Sequence, residues 1–193
     1  RGEYPPPHVC VSMAHRDRLL VRSKHCFYIT LVRDPIARNL SAFFQNLNQA
    51  PEEIRTEKDP QKLFDYFLKN YNHQAPLSWL DREFGEQLGI DVYRRKFDTD
   101  KKYVYFAHRN TLIFRVDCPD EVKERVLSRN LGTKIKLSRR NDSSNKDYNE
   151  VYSSMKAHAK FPIGFLEQIY ESKFATHFWT SDERSAFIRN WSW

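Results

Sequence analysis

The chain has 193 residues, of which 40% are hydrophobic and 15% aromatic, and its net charge at pH 7 is +7. This length and composition predict a single globular domain over residues 1–193 and exclude a disordered chain. No apolar run reaches the ~18 residues that a membrane helix needs, so we expect no membrane span in this chain. Three cysteines without C-x-x-C spacing predict reduced thiols and no metal site. The positive charge favours an anionic partner.

The N-terminal segment contains a strand-like run that ends beside a histidine. Prolines at positions 5–7 predict an extended approach, and residues 8–14 then predict a short strand. His15 follows this strand. A histidine at the ligand edge of a sheet is a candidate general base, although a half-buried structural histidine is the more common case.

Residues 26–46 predict a strand, a tight turn and a helix. The apolar, β-branched run 26–32 is typical of a strand buried on both faces. Asp34 and Pro35 fit the N-cap and the first position of the helix that follows. The turn therefore places the guanidinium of Arg33 at the carboxyl end of a strand and beside a helix N-terminus.

This position of Arg33 predicts an anion site, because ligands of open α/β sheets bind at the carboxyl edge and helix N-termini attract anions. Ser41 and Arg38 lie on the predicted helix, where a hydroxyl and a guanidinium can reach one phosphate. The alternative is that Arg33 pairs with Asp34 or with another surface acid.

The middle of the chain predicts two helices and a hairpin. The helices cover residues 60–71 and 76–88, and the strands of the hairpin cover residues 103–107 and 111–116. Trp79 lies on the second helix, where it either packs or stacks on a sugar. Arg115 and Asp117 end the second strand of the hairpin, and we expect them to form a structural ion pair.

The C-terminal part predicts mostly helix. Helices are expected over residues 119–131, 147–159 and 162–171, and a capping box at residues 180–183 starts a last one. Residues 133–136 predict a last short strand.

The stretch Val-Arg-Asp-Pro-Ile-Ala-Arg-Asn-Leu-Ser-Ala-Phe at residues 32–43 resembles the 3′-phosphate-binding motif of sulfotransferases that use PAPS (3′-phosphoadenosine 5′-phosphosulfate). With the Leu-Gly-Ile-Asp-Val-Tyr of residues 88–93 and the aromatic C-terminus, the chain is more closely similar to a branch described as capsular polysaccharide synthesis proteins. The similarity extends from about residue 24 to the end.

The resemblance implies an α/β fold, a P-loop-type three-layer sandwich with a mostly parallel sheet and a helix-rich C-terminal half. That family binds the 5′-phosphosulfate with a glycine-containing loop before the first helix. None of the five glycines begins such a loop. We therefore expect the loop to lie upstream of Arg1, in which case this chain is the C-terminal portion of the domain and is inactive alone.

The resemblance also implies roles for single residues. Arg33 and Ser41 would hold the 3′-phosphate of the cofactor, with Arg38 as a further candidate. In that family a loop in the C-terminal half closes over the same phosphate, and Arg140 and Asn141 occupy a comparable place here. The glycine-rich form of that loop is absent from this sequence.

The function implied is transfer of a sulfuryl group from PAPS to a hydroxyl or amine of a carbohydrate, with His15 as the candidate base and no metal. One alternative is a nucleotide-dependent kinase or glycosyltransferase of polysaccharide synthesis, for which Asp117 is the candidate magnesium ligand. Another is a non-enzymatic binder of anionic glycan or nucleic acid. With the sulfotransferase function we expect a carbohydrate acceptor and no nucleic acid. The location would be cytoplasmic in a bacterium and the secretory lumen in a eukaryote.

Overall fold

The structure, a computed structural model, describes residues 26–138 and 148–192 and has a small sheet among helices. The strands are β1 Tyr28–Val32, β2 Tyr103–Phe106 and β3 Thr111–Arg115. The helices are α1 Pro35–Gln45, α2 Glu52–Arg55, α3 Pro60–Asn70, α4 Ala75–Leu80, α5 Asp120–Leu131, α6 Asn149–His158, α7 Ile163–Tyr170, α8 Lys173–Phe178 and α9 Ser181–Trp191. A π-helical turn, Asp81–Glu86, extends α4, and single 3₁₀ turns cover Leu47–Gln49, Val92–Arg94 and Ala107–Arg109. The predicted His15, Arg140 and Asn141 lie outside the described residues.

The sheet has the strand order β1-β3-β2. Strands β1 and β3 are parallel, whereas β2 and β3 form the antiparallel hairpin that the sequence predicts. The α/β class and the helix-rich C-terminal half are confirmed. The expectation of a mostly parallel sheet is wrong for the described residues, because one of the two strand pairs is antiparallel. The P-loop-type sandwich stays a prediction.

Two apolar clusters cover the two faces of the sheet. The larger cluster contains Val32 and Ile113 together with buried side chains of α1, α3, α7 and α8. The smaller cluster joins Leu112 and Phe114 of β3 to Val126 and Leu127 of α5. Strand β3 is buried along its whole length because it lies between these two clusters.

Strand β1 is buried on one face only. Thr30 and Val32 face the larger cluster, but the side chains of Ile29 and Leu31 are 48% and 55% exposed. Helix α5 packs against β3 and leaves this face of β1 uncovered by the described residues. The prediction of a strand buried on both faces is therefore wrong here.

Local signals fix the ends of several helices. The carboxylate of Asp34 accepts a hydrogen bond from the backbone N–H of Ile36, and the capping box of Thr180 and Glu183 is present. The predicted strand at 133–136 does not form. The backbone N–H groups of Ile135 and Leu137 instead donate to side-chain oxygens of α5.

Among the described residues, no helix combines the length and apolar character that crossing a bilayer requires.

Candidate anion-binding cleft

A cleft of about 320 Å³ opens at the carboxyl end of β1. Its walls come from the end of β1, the turn that follows, and helices α1, α4 and α8. The lining residues are Thr30, Leu31, Val32, Arg33, Arg38, Pro76, Trp79 and Phe174. The cleft therefore lies at the edge of the sheet where the sequence predicts an anion site, and it contains two guanidinium groups.

Arg33 lies half-buried in this cleft. Among the described residues, no Asp or Glu oxygen lies within salt-bridge distance of its guanidinium. The alternative in which Arg33 pairs with Asp34 is wrong, because the carboxylate of Asp34 makes its bonds elsewhere. No described carboxylate therefore neutralises the positive charge of Arg33.

The carboxylate of Asp34 is held by the C-terminal helices. The hydroxyl of Tyr170 donates to Oδ1 at 2.5 Å, and Nε1 of Trp191 donates to Oδ2 at 3.1 Å. Burial raises the pKa of Asp34, and the hydrogen bonds from Tyr170, Trp191 and the N–H of Ile36 oppose that rise. Burial and the neighbouring carboxylate raise the pKa of Tyr170, which keeps its proton and acts as the donor. These bonds fix the turn that carries Arg33.

Arg38 contributes a second cation, whose hydrogen-bond partners among the described residues are neutral. Its Nη1 donates to Oδ1 of Asn39 at 3.2 Å and to the hydroxyl of Tyr71 at 3.4 Å. Asn39 is itself buried and donates to the backbone carbonyl of His73 at 3.2 Å. These contacts position the guanidinium of Arg38 and leave its charge without a counterion among the described residues.

Aromatic side chains form another part of the cleft wall. Trp79 is half-buried on α4, where its ring meets Phe84 edge-on at 5.5 Å. Phe174 lies at the start of α8. An ion pair between Lys173 and Asp81, at 2.8 Å, connects α8 with the turn that extends α4. Because Trp79 is only half-buried, a flat ring can pack against it in the cleft that also contains the two guanidinium groups.

Not all predicted site residues meet in this cleft. Arg33 and Arg38 line it, whereas Ser41 lies half-buried further along α1 and is not among the lining residues. Sequence reasoning missed Phe174 and Pro76. A proline at the first turn of α4 and a phenylalanine on an amphipathic helix carry no local signal of a ligand site, because only the tertiary packing brings them to β1.

The ion pair predicted after β3 is present and extends further than expected. Arg115, whose side chain is 2% exposed, donates to both oxygens of Asp117 and to both carboxylate oxygens of Glu183 on α9. Burial alone would raise the pKa of Asp117, but hydrogen bonds from Arg115 and Lys102 outweigh it and lower the pKa to about 2. The carboxylate of Asp117 thus already forms ion pairs with two basic side chains, which does not favour it as a magnesium ligand. Within the described ranges, no group of three or more His, Cys, Asp or Glu residues is placed to hold a metal ion.

A family model named NKWYS, described as "Putative capsular polysaccharide synthesis protein", matches residues 53–180. The matched segment begins after α1 and contains Trp79 and Phe174, whereas Arg33 and Arg38 precede it. No curated protein and no solved structure matches the chain.

Proposed function

Because the chain belongs to the NKWYS family of capsular polysaccharide synthesis proteins, we propose that it is a PAPS-dependent sulfotransferase that acts on a carbohydrate. The cleft at the end of β1 is the proposed cofactor site. The bound cofactor would supply the sulfuryl group that a hydroxyl or amine of the acceptor receives.

The observation that carries this proposal is the charge of Arg33, for which the described residues provide no counterion. A guanidinium at the carboxyl end of a parallel strand and directly before α1 fits a phosphate group. The position is also the one that the resemblance assigns to the residue that binds the 3′-phosphate. Arg38 adds a second cation to the same cleft.

The aromatic wall supports a nucleotide rather than inorganic phosphate. Trp79 is half-buried and offers apolar ring surface in the same cleft as the two guanidinium groups, whereas Phe174 is 4% exposed and closes the cleft by packing. A ligand with one phosphate and one flat ring uses both features. The adenine of the cofactor and a sugar ring of the acceptor both have a face that packs on an aromatic side chain.

The other predicted site residues have separate roles in this proposal. The hydroxyl of Ser41 needs a change of side-chain or ligand position to reach the cleft, so we assign it a smaller share of the affinity than Arg33. His15 is the proposed base for the acceptor proton. Arg140 and Asn141 are the proposed further contacts to the 3′-phosphate.

A kinase or glycosyltransferase on the same sheet is the second candidate. Its proposed magnesium ligand, Asp117, forms ion pairs with Arg115 and Lys102, and this engagement favours the sulfotransferase. A non-enzymatic binder of anions would show affinity that depends steeply on salt and would not distinguish nucleotides by the position of a phosphate.

Calorimetric titration with 3′-phosphoadenosine 5′-phosphate, AMP and ATP tests the proposal. We expect the 3′-phosphorylated nucleotide to bind at least tenfold more tightly than AMP, since a charge-assisted contact of about 1.5 kcal/mol corresponds to about that ratio. Equal affinities for the three nucleotides would reject the 3′-phosphate site. Preference for ATP would favour the kinase.

A further inference from the structure

A second, larger groove lies at the other end of the sheet. It has a volume of about 820 Å³ and runs beside the end of β2. Its lining residues are Gly89, Asp91, Arg94, Arg95, Lys96, Phe106 and Ala107. None of these residues belongs to the proposed cofactor site.

Basic side chains dominate this groove. Arg94, Arg95 and Lys96 are exposed, and the guanidinium of Arg109 lies 3.8 Å from where a Cβ on Gly89 would stand. In the part of the chain that the structure describes, none of these four cations forms a salt bridge. Asp91 is the one acid among the described lining residues, and its Oδ1 accepts a hydrogen bond from the N–H of Tyr93 at 3.0 Å.

One of the cations is held in place by the sheet. Nη1 of Arg95 donates to the backbone carbonyl of Tyr105 at 2.7 Å. Strand β2 is at the edge of the described sheet, so this bond lays the guanidinium along that edge. The remaining N–H groups of Arg95 are donors in a fixed position.

The groove and the cleft lie at opposite ends of the strands of the sheet. Phe106 pairs with Thr111, which pairs with Tyr28 at the start of β1, whereas the cleft begins at the other end of that strand. Four residues of a strand span about 13 Å. A nucleotide held by Arg33 therefore leaves the groove open to a different ligand.

We propose that this groove binds an acidic oligosaccharide through the charges of Arg94, Arg95, Lys96 and Arg109. A single exposed ion pair contributes little, so several cations in a row select a ligand with repeated negative charges. Membership of a family of capsular polysaccharide synthesis proteins makes a saccharide chain the expected form of that ligand. The inference does not depend on the cofactor that occupies the cleft.

The chemistry of the groove favours a saccharide over single-stranded nucleic acid. Proteins that bind single strands stack the bases on exposed aromatic side chains. The aromatic residue of this groove, Phe106, is 4% exposed and offers almost no ring surface. The groove therefore offers charged side chains and backbone groups, which suit the carboxylates and hydroxyls of an acidic sugar chain.

The test is a binding titration without nucleotide, with an oligogalacturonate, a sulfated oligosaccharide, a neutral malto-oligosaccharide and a single-stranded DNA of similar charge. The double variant Arg94→Ala/Lys96→Ala removes two cations of the groove. The matched control, Arg125→Ala/Arg129→Ala, removes two exposed arginines of α5 and so loses the same net charge. A thermal melt of each variant checks that the fold is intact.

We expect both acidic saccharides to bind more tightly than the neutral one. The groove variant should lower that affinity roughly fivefold to tenfold and the control should leave it nearly unchanged. The relative affinities for carboxylated and sulfated chains show which acidic group is preferred. Equal loss in both double variants would reduce the effect to net charge and overturn the proposal. Tighter binding of the DNA, with the same dependence on the groove, would also overturn it in favour of nucleic acid.

Discussion

Two neighbouring residues, Arg33 and Asp34, carry opposite charges but do not form an ion pair with each other. Asp34 is bound by Tyr170, Trp191 and the N–H of Ile36, so its carboxylate does not neutralise Arg33. The sequence predicts the cap because Asp-Pro at a helix start is a local signal. It does not predict the partners of Asp34, which lie 136 and 157 residues further along the chain.

Replacement of Asp34 should show how much this turn depends on its carboxylate. Asp34→Ala removes the cap and leaves the Tyr170 hydroxyl and the Trp191 N–H without an acceptor. We expect the free energy of unfolding to fall by about 3 kcal/mol, from roughly 1 kcal/mol for the cap and at least as much for each buried donor. Urea unfolding measures this change. A loss below about 1 kcal/mol would contradict the role assigned to Asp34.

Asp34→Asn adds a test of the pKa of this carboxyl group. A raised pKa means that the carboxyl ionises less readily in the folded protein than in the unfolded chain. Its contribution to stability is therefore complete below its ordinary pKa of 3.8 and is lost as the pH rises through the higher folded value. The amide does not titrate, so the variant should lose less stability relative to the wild type at pH 7 than at pH 4. A difference that grows between pH 4 and pH 7 would show that the pKa is lowered instead.

At the scale of the elements, Arg115 connects β3 to α9. Its guanidinium binds Asp117 at the end of the strand and Glu183 in the first turn of the helix, and it lies 5.5 Å from the ring of Trp179. The sequence predicts the pair with Asp117 because the two residues are close in the chain. The bond to Glu183 depends on how α9 packs against β3. The sequence assigns Glu183 only to the capping box, so it does not predict the contact with Arg115.

Arg115 and Arg33 give a matched pair of arginine variants. Arg115→Ala removes hydrogen bonds to two carboxylates whose side chains are 51% and 31% exposed, and we expect it to lower the free energy of unfolding by about 2–3 kcal/mol. Arg33 has no ion pair among the described residues, so Arg33→Ala should change the free energy of unfolding by no more than about 0.5 kcal/mol. Chemical denaturation of both variants checks this contrast. A large loss for Arg33→Ala would mean that Arg33 supports the fold rather than a ligand.

The predictions of single elements succeed where the signal is local. Caps at Asp34, Asp59 and Thr180 and the left-handed Gly132 set helix ends within a few residues of those expected. The strand expected at 133–136 is wrong because side chains of α5 satisfy its backbone N–H groups. Burial of both faces of β1 is wrong for a similar reason, since α5 covers β3 and not β1.

At the scale of the whole molecule, the sequence predicts the α/β class and the position of the cleft, but not its full lining. A strand followed by Arg-Asp-Pro places Arg33 at the carboxyl edge by local geometry. The contribution of α8 to the cleft depends on the packing of helices that are more than 120 residues from β1. The basic stretch at 94–96 is visible in the sequence, whereas the groove forms only where the β2–β3 hairpin and the turn at Gly89, whose φ is 64°, come together.

Acid should destabilise the molecule through the carboxylates around Arg115. The pKa of Asp117 is lowered to about 2 from 3.8, and the pKa of Glu183 is lowered from 4.5, since hydrogen bonds from Arg115 outweigh the effect of burial. Lowered pKa values stabilise the fold at higher pH, and this stabilisation is lost as the pH falls from about 4.5 towards 2. Asp117→Asn should make that loss of stability shallower in denaturation experiments at several pH values.

Asp100→Asn is the control for the acid experiment, because Asp100 is exposed and has no ion pair among the described residues. This variant should follow the wild type across the same pH range. Identical pH dependence for Asp117→Asn and the wild type would contradict the contribution assigned to Asp117.

The central claim is that Arg33 binds the 3′-phosphate of a nucleotide, and one calorimetric cycle tests it most directly. Wild type and Arg33→Ala are each titrated with 3′-phosphoadenosine 5′-phosphate and with AMP, and Arg125→Ala serves as a control for loss of one positive charge. Loss of a charge-assisted contact of about 1.5–3 kcal/mol predicts a ten- to hundredfold drop for the 3′-phosphorylated nucleotide and almost none for AMP. An equal drop for both nucleotides, or none for either, would contradict the claim.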